Sequence, residues 1–386
     1  MKAVYLYDAV RTPRGKAKAD GGLADLSPQE LVRQQVAALA ARCGEAAADP
    51  DALLIGCVTQ AGAQGAHIGL VAKLHAGLPD RTTAHTINNY CASGLTAIGQ
   101  AAAMIASRQA EVVLAGGVES MSRTPFMSDG ATYYGDISLP PRARYVPPVL
   151  AADLLAHAEG IGRAEFDAVA GVSQERAIAS DADPVLQASR VATGRLIGEE
   201  CPRAGMTAER LAAMPPAFGA LQDDFAAALG GEKFPPLHSL AHAPPICDGA
   251  GLALVGGSGL GAAPRARIIA YAESGGDPAA SLTAGMAAMD KVLNRAGLAL
   301  GDMDRIEFME AFAVTIAKFL RDYRPDPERV NVAGGHLAKG HPMGASGAIL
   351  TSSLLDCLDA CDGRLGIVIV TGATGVGAAM IVERIA

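Results

Sequence analysis

The chain has no Cys-x-x-Cys pair, no tryptophan, no excess of positive charge and no unbroken apolar run of membrane-spanning length. Most of these absences close off a class of answers. The seven cysteines (43, 57, 91, 201, 247, 357 and 361) are an odd number at scattered spacings. That pattern suits neither a disulfide framework nor a zinc ribbon, and it fits reduced cytosolic thiols without a metal. Arg, Glu, Lys or Asp interrupts every apolar run, so no membrane span is expected. The stretch Met1 to Asp8 is a strand pattern cut off by Arg11, without the apolar core of a secretion signal. A net charge of −8 argues against a general nucleic-acid surface.

What is present is 386 residues, half of them hydrophobic, with 45 glycines. That is enough for two or three core-forming units. Strand patterns alternate with helix patterns. Strands are expected at 4–10, 52–60, 82–87 and 111–115, and helices at 28–43, 69–74 and 95–105. From Arg265 the order recurs, with strands at 266–271, 306–309, 329–332 and 366–370. The matching helices lie at 283–296 and 313–320, with a long one after the turn Met343 to Gly347 that runs through Leu358. Such alternation implies parallel pairing with helices on both faces.

Two turns align between the copies. Tyr90-Cys91-Ala92-Ser93-Gly94 matches Met343-Gly344-Ala345-Ser346-Gly347, and each precedes an Ala-rich helix. The strand endings Ala115-Gly116-Gly117 and Thr371-Gly372-Ala373 match as well. An internal duplication of about 120 residues accounts for this. Ser120 to about Pro245 interrupts the repeat and reads as a covering domain over a shared cleft.

Cys91 sits where a strand turns sharply into a helix, with small residues after it. The helix N-terminus is expected to lower its pKa. The Gly-rich segment Gly334 to Gly344 precedes the matching turn of the second copy. If the copies pack face to face, His341 meets Cys91, and a Cys–His pair is the minimal arrangement for acyl transfer. His336 and Lys339 compete with His341 as candidates, against the alternative that both are solvent-exposed loop residues.

These stretches resemble the thiolase family over nearly the whole chain. The matching segments are Arg11-Thr12-Pro13-Arg14-Gly15-Lys16, Asn88 to Gly94, Gly116 to Pro125, Glu310-Ala311-Phe312-Ala313, Gly340 to Gly347 and Gly375-Val376-Gly377. The resemblance implies an α/β fold with a duplicated, five-layered αβαβα core and an inserted loop domain. The expected units are 1–119 with 246–262, then 120–245, then 263–386. It implies coenzyme A thioesters as substrates, no permanently bound cofactor, and a homodimer or homotetramer. Cys91 would be acylated and His341 would activate it. Backbone N–H groups of Cys91 and Gly375 would form an oxyanion hole, a type of donor pair worth ~10²–10³ in rate. Met121, Phe218, Met309 and Phe312 are candidate lining residues.

The sequence departs from the family at three places. Thr371 stands where thiolases carry a second cysteine, and a hydroxyl cannot do a thiol's acid–base work near neutral pH. Met309 stands where Asn or His precedes Glu-Ala-Phe, and a thioether donates no hydrogen bond. Pro244 falls near a pantetheine-contacting Ser. His336, Lys339, His242 or a partner's residue are the candidates to substitute. The leading expectation is a C-acyltransferase acting on 3-oxoacyl-CoA-like thioesters. The alternatives are acyl transfer to another nucleophile without Claisen chemistry, and a non-catalytic subunit of a complex.

Overall fold

The computed structural model describes residues 2–278 and 281–385. Nine strands and the two-residue pair Gly15–Lys16 form one mixed sheet. The strands are β1 Tyr5–Arg11, β2 Ala52–Gly56, β3 Thr83–Ile87, β4 Val112–Ser120, β5 Cys247–Gly256, β6 Ala266–Gly275, β7 Arg305–Phe308, β8 Leu365–Gly372 and β9 Val376–Arg384. Their spatial order is β3-β2-β4-β5-β1-β6-β9-β8-β7.

That order contains the duplication. The first five strands run 3-2-4-5-1, and the last four, read inward from the far edge, run 7-8-9-6. β1 thus matches β6, β2 matches β7, β4 matches β8, and β5 matches β9. The two sets pair at Tyr5↔Arg267 and Leu6↔Ala266. The counterpart of β3 is missing. The strand expected at 329–332 is reduced to a single bridge, Ile306↔Val330. Asn331 takes a left-handed φ of 46°. Its side chain accepts from the N–H of Phe308 at 2.8 Å and donates to the carbonyl of Phe308 at 2.9 Å. One amide side chain makes the two bonds that a neighbouring strand would have made.

The parallel expectation holds for β2 with β3, β2 with β4, and β7 with β8. It fails for β5 and β9, each inserted antiparallel between its neighbours. The tight turn Ala373–Gly375 joins β8 to β9, and so short a connection permits only antiparallel pairing.

The principal core helices are α1 Pro28–Cys43, α2 Ile68–His75, α3 Ser93–Ala106, α4 Arg163–Ser180, α5 Ala284–Ala296, α6 Ala313–Tyr323 and α7 Ser346–Ala360. Ser27 caps α1, accepting from the N–H of Glu30 at 3.3 Å. α1 packs on the first strand set and α5 on the second. α3 and α7 pack against each other between the sets, which gives five layers. Every residue of α7 from Ser346 to Leu358 is buried. A helix covered all round needs no polar face, which is why its sequence reads as Ala, Leu and Ser without amphipathic contrast. The inserted segment adds Pro148–Glu159 and α4, and α4 packs against residues 336–339.

Candidate active site

Cys91 is held up by a strained turn. Tyr90 has φ +44°, a left-handed conformation that costs a non-glycine residue ~1–2 kcal/mol. Ser93 pins it, donating to the carbonyl of Tyr90 at 2.5 Å and accepting from the N–H of Asn89 at 2.8 Å. Asn88 accepts from the N–H of Tyr90 at 3.1 Å and donates to the carbonyl of Val58 at 3.0 Å. The thiol therefore stands at the start of α3, clear of β3.

His341 comes from the second copy. Its N–H donates to the carbonyl of Pro245 at 2.9 Å. Its Nδ1 lies 2.7 Å from Oγ of Ser346, and its Nε2 lies 3.1 Å from Sγ of Cys91. The loop before it is tied down by Glu310. That carboxylate accepts from Ser173 at 2.7 Å, Asn331 at 2.9 Å and the N–H of Leu337 at 3.0 Å. Ser173 lies on α4, so the inserted segment helps to place the loop that carries His341.

Glycine brings the two turns together. A Cβ on Gly94 would lie 2.7 Å from the carbonyl oxygen of Gly344. A Cβ on Gly347 would lie 2.5 Å from the backbone nitrogen of Leu95. Beneath them the buried carboxylate of Glu119 accepts from Val58 at 3.0 Å, Thr59 at 3.1 Å and Gly344 at 3.0 Å, joining the two copies.

The electrostatics correct the expected lowering of the thiol pKa. Burial pushes Cys91 up to about 12, against the pull of the Ala373 and Cys91 N–H groups. The helix terminus is outweighed by loss of solvent. Burial, followed by the charge of Arg14, pushes His341 down to about 3. The resting pair is a neutral thiol beside a neutral imidazole.

Of the two expected oxyanion donors, Cys91 leads into α3 and Gly375 lies in the turn Ala373–Gly375. The N–H groups that reach the Cys91 sulfur are those of Cys91 itself and Ala373. Gly375 instead turns the chain at φ +77°, and its carbonyl accepts from Gly276 at 2.7 Å.

Met309 is fully buried, and its N–H donates to Ile369 at 2.9 Å. Phe312 is half-buried and meets His238 edge to face at 6.0 Å. Met121 packs with Val58 and Met343 beneath the turns. Phe218 is half-buried in a loop of the inserted segment and makes no ring contact among the described residues. Thr371 is buried, and its hydroxyl has no hydrogen-bond partner among the described residues.

The competing candidates fall differently. His336 and Lys339 are buried, not exposed loop residues. His242 is committed elsewhere, with Nε2 2.8 Å from Asp167 and Nδ1 accepting from the N–H of Ser239 at 3.2 Å. Cys357 is buried on α7, 3.7 Å from Glu307.

Ser346, Ala373 and Arg14 are site residues the sequence did not single out. Ser346 had a signal, since it is the repeat partner of Ser93. Arg14 had none beyond its place in the Arg-Thr-Pro stretch. Its Nη1 donates to the carbonyl of Gly340 at 3.2 Å. Among the described residues no cluster of His, Cys, Asp or Glu could hold a metal, and no helix is long and apolar enough to cross a membrane.

Comparison with known proteins agrees with this architecture. The family described as "Thiolase, N-terminal domain" matches residues 4–222, and "Thiolase, C-terminal domain" matches 262–384. The chain is 34% identical to a β-ketoadipyl-CoA thiolase of Acinetobacter baylyi and 32% identical to a 3-ketoacyl-CoA thiolase of Citrobacter koseri, with 100% of each chain covered. Among solved structures it is similar to an acetyl-CoA acetyltransferase of Bacillus anthracis, at a TM-score of 0.85 and 29% identity, covering 100% of this chain and 99% of that one. Human mitochondrial 3-ketoacyl-CoA thiolase gives 0.84 at 29% identity with the same coverage. Two facing copies of one unit, each contributing a turn to one site, are matched along the whole chain, and the chain belongs to the thiolase family of acyltransferases.

Proposed function

We propose that the chain cleaves or forms the carbon–carbon bond of 3-oxoacyl-CoA thioesters through an acyl group carried on Cys91. The observation that carries this is the 3.1 Å separation of the Cys91 sulfur and His341 Nε2. Because both groups are neutral at rest, the proton must move as the sulfur–carbon bond forms. In the cleavage direction the sulfur adds to the 3-oxo carbon, and its proton passes to His341. The N–H groups of Cys91 and Ala373, which reach the sulfur, and the expected donor Gly375 are the candidates to hold the oxyanion made there. The C2–C3 bond then breaks, and its electron pair leaves with the two-carbon CoA enolate. The proton held on His341 balances the one that carbon takes up as acetyl-CoA departs. The thiol of a second CoA next adds to the acyl carbon, its proton going to His341. Cys91 leaves as thiolate and regains that proton.

The printed names of the relatives, β-ketoadipyl-CoA and 3-ketoacyl-CoA thiolase, support this substrate class. The expected setting is the cytoplasm, and the expected assembly a homodimer or homotetramer. β3, a partly exposed edge strand paired only with β2, offers backbone groups to a second copy. No cofactor enters the scheme. A second reading, acyl transfer to another nucleophile, is favoured by Thr371 and Met309. The test is incubation with a 3-oxoacyl-CoA and CoA. Acetyl-CoA release that is lost in Cys91→Ser supports the first reading. Acyl-enzyme formation without release of acetyl-CoA supports the second.

A further inference from the structure

His336 is fully buried, and neither of its ring nitrogens has a hydrogen-bond partner among the described residues. A buried polar side chain left unpaired costs ~1–3 kcal/mol, so such groups need an explanation. Its location supplies one. The ring meets that of His341 edge to face, with centroids 5.2 Å apart at 70°. An unpartnered N–H thus stands one ring's width from the imidazole that touches the nucleophile. Arg14, Lys339 and His341 all oppose a positive charge there, and burial opposes it most, so the ring stays neutral with one N–H and one free lone pair. Met309, which occupies the position where the resemblance expects a hydrogen-bond donor, cannot supply one.

We propose that His336 is a catalytic residue that donates a hydrogen bond to the thioester oxygen of the departing CoA enolate. This rests on the proposed 3-oxoacyl-CoA chemistry. When the C2–C3 bond breaks, its electron pair delocalises onto that oxygen. A neutral imidazole N–H stabilises such an oxyanion without itself losing the proton. No atom is transferred to or from His336. Simple acylation of Cys91 by a saturated acyl-CoA passes through no enolate and does not call on it.

The test separates those two reactions in single turnovers. His336→Leu is expected to slow release of acetyl-CoA from a 3-oxoacyl-CoA by ~10²–10³. Acylation of Cys91 by the matching saturated acyl-CoA, read by intact mass, should stay within about threefold of the parent. Adding Met309→Asn to His336→Leu restores a donor and should recover at least about tenfold. His336→Gln keeps an N–H and does not depend on the leucine protein folding; it should hold cleavage within about tenfold. Equal loss in both reactions, no loss in either, or a His336→Gln protein that acylates normally yet cleaves as poorly as a donor-less one would overturn the assignment. Failure of the parent itself to cleave would show separately, in the wild-type control, and would overturn the proposed function and this role with it.

Discussion

The ring nitrogen of His341 lies 3.1 Å from the sulfur of Cys91, although the two residues are 250 positions apart and belong to different copies of a duplicated unit. What holds them is the bare backbone contact of Gly94 and Gly347 where α3 and α7 cross.

That contact sets the first prediction. Gly347→Ala places a methyl group 2.5 Å from the backbone nitrogen of Leu95, so the helices must separate. Overpacking of this kind costs about 1–3 kcal/mol, and a shift of about 1 Å in a reacting pair costs ~10² in rate. The Tm should fall and Cys91 acylation should drop by about that factor. An alanine protein with parental acylation would show that the crossing does not position the pair.

The neutral state of the pair sets the second. His341 is pushed down to about 3, so it remains a base well below the usual imidazole range. Acylation should therefore not fall as pH drops from 7 to 5, where an ordinary imidazole would take up a proton. Cys91 is pushed up to about 12, so its alkylation by iodoacetamide should climb steadily between pH 7 and pH 9.5. A plateau in alkylation by pH 8 would reveal a thiolate–imidazolium pair instead.

Ser346 sets the third. Its hydroxyl, 2.7 Å from Nδ1, fixes which way the imidazole faces. Ser346→Ala should lower the acylation rate about tenfold or more, by analogy with other orienting groups behind a base. Binding of acyl-CoA should be unchanged, because the hydroxyl meets no substrate in this scheme. A change confined to KM would contradict the orienting role.

How much of this was legible in the sequence follows from the physics of each part. The small-residue turns at Cys91 and Gly344 were legible because close backbone contact demands Gly, Ala and Ser, and the demand is repeated. The pairing of strands was less so. β5 and β9 are buried on both faces, and the Gly-rich starts Asp248-Gly249-Ala250-Gly251 and Val376-Gly377-Ala378-Ala379 carry no alternation that tells parallel from antiparallel. The strand expected at 329–332 fails through a single side chain, Asn331, bonding where a strand would. The place of Cys91 at a strand-to-helix turn facing His341 was legible, but its ionisation was not. Helix position is local, whereas burial depends on segments distant in sequence, the loop that carries His341 among them.

Thr371 sets the fourth prediction. Its buried hydroxyl, just before the turn that carries Ala373, has no hydrogen-bond partner among the described residues. Thr371→Cys supplies a titratable group, and general acid–base catalysis contributes ~10²–10⁴ where it operates. Carbon–carbon bond formation and cleavage should rise at least about tenfold, and more with Met309→Asn, while acylation by a saturated acyl-CoA stays constant. No change in the double variant would place the acid–base function elsewhere.

The central claim is that Cys91 carries the acyl group, and intact-protein mass spectrometry tests it most directly. Rapid mixing with a 3-oxoacyl-CoA in the absence of free CoA should add one acyl mass per chain and release one equivalent of acetyl-CoA. The mass should be absent from Cys91→Ser and should disappear from the parent when CoA is added. An adduct that survives in Cys91→Ser, or acetyl-CoA release with no acyl mass on the parent, would contradict the account.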